Sequence, residues 1–505
     1  LAAVRRRLAA MGEADLGRQL SLLRLSLLAR KLDRDAGLWT GYPPVAADRL
    51  QPPAALRARL LAAARAAGEW FASTAARQGR YVSWVGLEFR NKRWSLVPAP
   101  RDLYVGLPGI ALFLGYLGAV TGDARAGDLA RAALDTLIES VARDAAADPA
   151  ADPAEPPYIG LMQGAGGQLY VMAHLAALWQ DRRLLDATAA EIERIDSQVA
   201  QDEDLDVVAG AAGAIAGLLA AHRAGAAPRA LAVAVRCGEH LLGRARHDLT
   251  GSFWLTRLAS ERALAGCAHG TAGIALALVQ LGAASGDARF TELGLAAFAW
   301  ETAAFWPQLR HWLASADSAA APPPDSSVAM SWCYGAPGIG LARLAALSHL
   351  DAAAPAARQA LERDVARALR LTLRRGFGQS HCLCHGDLGN LDFLVSAWRR
   401  QGAGHAAVLG RQVRRRAQQV LAGIDRDGWR CGTRGGVESL GLMNGIAGIG
   451  YGLLRLADPD RVPSVLALAP PSTSPVCSPT PGGGAAGAGR RPSKRKGAAM
   501  VESGP

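Results

Sequence analysis

The sequence holds only seven cysteines in 505 residues, a sparse and odd set that excludes the disulfide framework of a small secreted domain. Although 50% of the residues are hydrophobic, no run of eighteen or more apolar residues passes without a charge, so no membrane span is expected. C-x-x-C pairs are absent and β-type alternation is nearly so. The N-terminal stretch lacks the apolar core and small-residue cleavage site of a signal peptide. Aromatics do not interleave with the basic residues, so a net charge of +12 does not describe a nucleic-acid groove. A reducing cytoplasm is the expected location, with free cysteines available for metal binding.

What is present is Ala- and Leu-rich helical patterning broken by Arg, Asp and Glu. Residues 1 to about 40 predict one or two helices, and a start at Leu1 rather than Met reads as an interior piece of a longer chain. Gly41-Tyr-Pro-Pro44 then breaks the pattern as a linker, and Pro-rich stretches at 145–157 and 319–327 read as exposed loops. After Pro470 the chain turns to Pro, Ser, Gly and Ala with a basic cluster, a tail unable to bury enough apolar surface to order itself. The remaining charge is dispersed arginine, which reads as solvated surface or as a surface for an acidic peptide.

Seven copies of one unit recur: G-L-P-G at 106, G-A-G-G at 164, G-A-A-G at 210, G-T-A-G at 270, G-A-P-G at 335, G-D-L-G at 386 and G-I-A-G at 445. With 57 glycines, roughly half a dozen bare G-x-x-G would arise by chance. The context carries the signal, because apolar runs at helical spacing follow, such as Ile274, Ala277, Leu278 and Leu281. Each copy therefore begins a helix, with glycines allowing positive φ or close approach of a neighbour. Spacings of about 45 to 65 residues leave room for one inner and one outer helix per copy, which predicts a ring of paired helices whose turns meet at one mouth.

Cys333 stands two residues before the fifth copy, and Cys384 and His385 stand directly before the sixth. Two thiolates and an imidazole suit Zn²⁺, with a fourth position left open as in catalytic sites. A structural site closed by Cys382, His381 or Cys431 is the alternative, as is a set of plain buried cysteines. Such an electron-rich site is better suited to holding a further thiolate than to making hydroxide, which points to sulfur nucleophile chemistry. His269 directly precedes the fourth copy and Asp206 stands four residues before the third. A lone His or Asp near a helix start is commonly a cap or a satisfied buried group, but the shared register points to proton transfer. Cys267 reads as core.

The segments A-H-G-T-A-G-I, S-W-C-Y-G-A-P-G-I-G-L-A-R-L, C-L-C-H-G-D-L-G-N and G-L-M-N-G-I-A-G-I-G-Y-G-L-L-R-L together resemble the lanthionine synthetase C-like cyclases. The resemblance is to the C-terminal cyclase region of class II (LanM-type) lanthipeptide synthetases. It implies an all-α, double-layered α/α toroid of seven inner and seven outer helices over residues 90–470, after a linker and first outer helix at 41–89. Residues 1–40 would then be the end of an upstream dehydratase region, and 471–505 a disordered tail. One Zn²⁺ held by Cys333, Cys384 and His385, catalysis by His269 and Asp206, and a role for Tyr334 near the site are also implied. The implied reaction is addition of peptide cysteine thiols to dehydroalanine or dehydrobutyrine in a ribosomally made precursor with a leader segment. Some family members carry an arginine four residues before the first zinc cysteine, where this chain has Ala329; Arg343 is a candidate replacement. Two other classes compete: a non-catalytic toroid that binds peptides or thiols around a retained zinc, and a carbohydrate-processing barrel. The latter needs two carboxylates across the mouth, for which only Asp206 and Asp387 offer themselves.

Overall fold

The computed structural model describes residues 1–9, 11–32, 49–90, 93–146, 158–226, 228–307, 311–312, 330–350, 354–400, 403–433 and 436–472. The linker expected around 41–44, Ala329 and nearly all of the C-terminal tail lie outside the described residues. Two helices open the chain, α1 (Ala2–Ala9) and α2 (Glu13–Leu32), followed by α3 (Pro53–Thr74). Helices then alternate: α4 (Leu107–Thr121), α5 (Ala124–Ala146), α6 (Ala165–Trp179), a short α7 (Arg183–Asp186), α8 (Ala189–Gln198), α9 (Ala211–Arg223) and α10 (Arg229–Arg244). The remainder are α11 (Thr271–Ser285), α12 (Ala288–Ala303), α13 (Ala336–Ala346), α14 (Pro355–Arg375), α15 (Asp387–Arg400), α16 (Ala403–Asp427) and α17 (Ile446–Ala457).

Each G-x-x-G copy opens one of α4, α6, α9, α11, α13, α15 and α17, and these pack side by side in that order until α17 meets α4. Their first turns are buried on every face, as in α11, where Thr271 to Gly282 are all buried. Helices α3, α5, α8, α10, α12, α14 and α16 form the outer layer, each packed on inner helices. They are amphipathic: α10 buries Ala230, Val233, Ala234, Cys237, Gly238 and Leu241, and its other positions are more exposed. The seven-plus-seven toroid matches the expected architecture.

The glycines work mainly by close approach. A Cβ on Gly273 would lie 2.1 Å from Cys267 O, and one on Gly389 would lie 1.9 Å from Leu383 O. Positive φ, the other expectation, holds among the leading glycines only at Gly164 (122°) and Gly335 (118°).

Among the described residues, four two-stranded antiparallel hairpins decorate the toroid, β1 (Ala76–Gln78) with β2 (Tyr81–Ser83), β3 (Val85–Arg90) with β4 (Arg93–Pro98), β5 (Arg246–Asp248) with β6 (Gly251–Phe253), and β7 (Phe305–Trp306) with β8 (His311–Trp312). Helix α2 packs on β3, β4 and α3 through a small cluster of Leu25, Ala29, Leu87 and Val437. The barrel interior is filled by the segment after α17. Val462 O and Pro463 O accept hydrogen bonds from Arg455 and Tyr451, Leu466 O from Trp332 Nε1, Ala467 O from Gln280 Nε2, and Ala469 O from Tyr170 Oη. Among the described residues no helix is long and apolar enough to cross a membrane.

Candidate functional site

The residues two positions before each G-x-x-G are Tyr104, Met162, Val208, Ala268, Cys333, Cys384 and Met443. Their backbones join neighbouring turns. Tyr104 N donates to Met162 O (3.0 Å), Met162 N to Val208 O (3.1 Å) and Ala268 N to Cys333 O (3.3 Å). Cys333 N donates to Cys384 O (3.3 Å), Cys384 N to Met443 O (2.8 Å) and Met443 N to Tyr104 O (3.0 Å). The circuit closes at six joints of seven. At the seventh, between Val208 and Ala268, a side-chain pair spans the gap instead: His269 Nδ1–H donates to Asp206 Oδ2 at 2.7 Å. Gly266, with φ of 111°, lets the fourth turn close on the fifth, since a Cβ there would meet Cys333 O at 2.6 Å.

This circuit brings the fifth and sixth turns together so that the ligand atoms of Cys333, Cys384 and His385 all lie within 4.8 Å of one another. These three residues could hold a metal ion, and among the described residues they form the group with that geometry. His385 Nε2 is 2.8 Å from Gly432 O and must donate to it, which leaves the Nδ1 lone pair for the cluster. A side chain at position 432 is excluded, because a Cβ would sit 2.7 Å from that Nε2 and 2.5 Å from Cys382 Sγ.

Proton sharing shows what charge the donors want. Cys333 is pulled well below the usual thiol range, first by the proton it shares with Cys384 and then by His385, while Cys384 is pushed up by the same sharing and by burial. His385 is raised to about 11, chiefly by hydrogen bonding to Cys333 and Cys382. The three donors are thus close enough to share protons.

The three residues expected as a possible fourth ligand lie outside the group whose ligand atoms converge, although Cys382 adjoins His385. Cys382 Sγ contacts Ser380 Oγ at 3.3 Å, His381 Nδ1 accepts from Arg430 N at 3.0 Å, and Cys431 is buried with its thiol pushed up to about 12 by desolvation. Cys267 is core as expected, its Sγ 3.2 Å from Gly338 O.

Asp206 is almost fully buried, and its Oδ1 accepts from Ala209 N at 2.8 Å, so both of its oxygens are engaged. His269 keeps about a quarter of its side chain exposed, with Nε2 turned from the carboxylate. Tyr334 stacks on His269, ring centroids 6.2 Å apart and planes 28° from parallel. Burial, then the Cys333, Asp206 and Cys384 charges, push its phenol up to about 12, which places it between cluster and His–Asp pair.

Two expected residues are elsewhere. Arg343 is fully buried, 2.5 Å from Glu301 and 3.0 Å from Asp364, and cannot replace an arginine in the mouth. Asp387 accepts from Gly378 N at 3.1 Å and Gln379 N at 3.4 Å, a structural role that takes it out of the carboxylate pair glycoside chemistry would need.

Sequence reasoning missed Tyr104, a half-buried residue whose backbone is joined to that of Cys384 through Met443. A signal existed: Tyr104 occupies in the first turn the position that Cys333 and Cys384 hold in the fifth and sixth. Beside it lies a cavity of about 390 Å³ lined by Glu88, Trp94, Gln163, Gly432 and Asn444 among others.

The family profile of lanthionine synthetase C-like protein matches residues 97–467. The lacticin 481/lactococcin biosynthesis protein LcnDR2 of Lactococcus lactis subsp. lactis is 30% identical over 135 residues, 26% of this chain but only 14% of that protein. Among solved structures, nisin cyclase superposes with a TM-score of 0.52 at 17% identity, covering 73% of this chain and 91% of that one, a likeness of fold. The profile spans most of the toroid and every residue of the cluster and the His–Asp pair, so the chain belongs to the lanthionine synthetase C-like family.

Proposed function

We propose that this chain is a zinc-dependent cyclase that closes thioether rings in a ribosomally made, dehydrated precursor peptide, as the cyclase region of a bifunctional LanM-type synthetase. The observation that carries this reading is the trio of Cys333, Cys384 and His385 beside the His269–Asp206 pair at one mouth. Two thiolates and an imidazole are a donor set for Zn²⁺, and three protein donors leave room for an exogenous fourth. When bound, zinc would hold a peptide cysteine as its thiolate, lowering the thiol pKa.

The chain's own residues supply the rest. Addition forms an S–C bond at the β-carbon of dehydroalanine or dehydrobutyrine, breaks the C=C π bond and leaves an enolate that must gain a proton at the α-carbon. His269 is the acid for that step: Asp206 fixes its ring through Nδ1, which leaves Nε2 for the substrate on a side chain about a quarter exposed. Because both oxygens of Asp206 are engaged and buried, its part is to orient His269 rather than to take the thiol proton. Tyr334 keeps the His269 ring in plane and walls it from the cluster.

The test uses a synthetic peptide carrying cysteine and dehydroalanine, with ring closure read as loss of thiol alkylation by mass spectrometry. Cys333→Ala and Cys384→Ala should lose the metal; a purified variant that retains stoichiometric zinc rejects the ligand assignment. His269→Ala should retain zinc and slow closure by about 10²–10⁴-fold. An unchanged rate removes His269 from the mechanism.

A further inference from the structure

The residues directly before the seven G-x-x-G turns are Val105, Gln163, Ala209, His269, Tyr334, His385 and Asn444. Three of them already have parts in the site: His385 belongs to the cluster, Tyr334 stacks beside it and His269 is the acid. Asn444, at the equivalent place in the seventh turn, has none. The backbone circuit joins the fourth turn to the fifth through Ala268 and Cys333, and the sixth to the seventh through Cys384 and Met443. The cluster therefore lies between two flanks, one carrying His269 and the other Asn444. The inference that follows rests on the reading proposed above.

The main chain ties Asn444 to the cluster. Gly432 N donates to Asn444 O at 2.7 Å, and Gly432 O receives the Nε2–H of His385 at 2.8 Å, so one glycine bridges the two residues. The side chain of Asn444 is half-buried, and its Oδ1 accepts from Ser439 Oγ at 3.3 Å. That bond commits the amide oxygen to its own turn, while Nδ2 has no partner among the described residues. Asn444, Ser439 and Gly432 all form part of the wall of the cavity beside Tyr104, so an uncommitted amide donor borders the open space next to the cluster. The reaction calls for such a donor. As the thiolate sulfur bonds to the β-carbon, the C=C π pair moves toward the carbonyl of the dehydrated residue and negative charge gathers on its oxygen. His269 engages Asp206 through Nδ1 and spends its other proton on the α-carbon, so the oxygen must be met by a different group.

We propose that Asn444 is a catalytic residue whose Nδ2–H donates to the carbonyl oxygen of the dehydroalanine or dehydrobutyrine under attack and stabilises the enolate. A donor already held in place by Ser439 costs no reorganisation as the charge develops, which is the condition for strong transition-state stabilisation. Protonation at the α-carbon then returns the pair and restores the carbonyl. The proton count balances, because the peptide thiol gave up one proton on becoming a thiolate.

The experiment compares wild type with Asn444→Ala, which removes the donor, and Asn444→Asp, which keeps its size and its contact with Ser439 but offers the enolate an oxygen. Ring closure on a peptide carrying cysteine and dehydroalanine should fall about 10²-fold in kcat in Asn444→Ala, with KM and metal content nearly those of wild type, and at least as far in Asn444→Asp. A second readout does not depend on turnover: a dehydroalanine peptide with serine in place of cysteine, labelled with ¹³C at the dehydroalanine carbonyl, should show a lower carbonyl stretching frequency when saturating wild type than when saturating either variant. Should Asn444→Ala fail to fold, the isosteric Asn444→Asp decides. A kcat within about twofold of wild type, or a loss confined to KM, overturns the role of Asn444 and leaves the cyclase reading standing. So does an equal stretching frequency in all three proteins, and loss of the metal from Asn444→Asp would show that the amide holds the site rather than the substrate. A wild-type chain that binds zinc and closes no ring overturns the cyclase reading and this inference with it.

Discussion

The imidazole of His385 hangs on one backbone carbonyl, and the residue that supplies it has no space for a side chain. Gly432→Ala should therefore push the imidazole off its position and weaken metal binding by about 10–100-fold, read by chelator competition. An unchanged affinity would show that Gly432 does not aim the ring. Asp206→Asn retains the shape of the carboxylate but not its charge, so it should leave metal content intact while slowing ring closure. The convergence of Cys333, Cys384 and His385, and the meeting of His269 with Asp206, were legible in the sequence because each stands at a fixed offset from a repeated turn. The place of Tyr104 was not legible, because its approach to Cys384 through Met443 depends on how the last turn closes on the first. The absence of Arg343 from the mouth could not be read either: its partners Glu301 and Asp364 lie on two other helices, α12 and α14.

At the scale of elements, the inner helices announced themselves through a glycine turn followed by an unbroken apolar run, and their all-round burial explains why. The second glycine of each turn lets the helix pass over a carbonyl of its own preceding loop. Gly273→Ala would bring a Cβ to 2.1 Å from Cys267 O, and with backbone on one side and packed helices on the other, it should destabilise the fold by about 2–4 kcal/mol. The midpoint of urea unfolding measures this; a change below about 0.5 kcal/mol would mean the loop yields freely. The hairpins were missed for a physical reason. Strands such as Arg246–Asp248 and Gly251–Phe253 are three residues long, too short for alternation to emerge, and β3 and β4 straddle the boundary between the span read as linker and outer helix and the span read as helical toroid.

The whole molecule is a closed ring of helices, and its interior is plugged by its own C-terminal segment, a feature that no repeat spacing could disclose. Buried His174, on inner helix α6, holds that plug, with Nε2 3.2 Å from Ala469 O and Nδ1 2.9 Å from the Tyr116 hydroxyl. Burial lowers its pKa to about 3 from the ordinary 6.5, so the folded state keeps it neutral where the unfolded chain takes up a proton. Stability from this group is intact above pH 6.5 and declines as pH falls toward 3, by up to about 1.4 kcal/mol per unit. His174→Gln should flatten that part of the stability profile between pH 6.5 and pH 4 in denaturant titrations; an identical slope in both proteins would remove His174 from the acid response. Finally, the hoop of main-chain bonds around the mouth is fastened everywhere by amides except at one clasp, and the clasp is made of the two side chains assigned to proton delivery. Unfastening it should loosen the rim locally, so that amide exchange at Ala209, whose N–H bonds to Asp206, quickens in Asp206→Asn while the six amide joints stay protected, and a lost reaction and a slackened hoop become two readings of the same event.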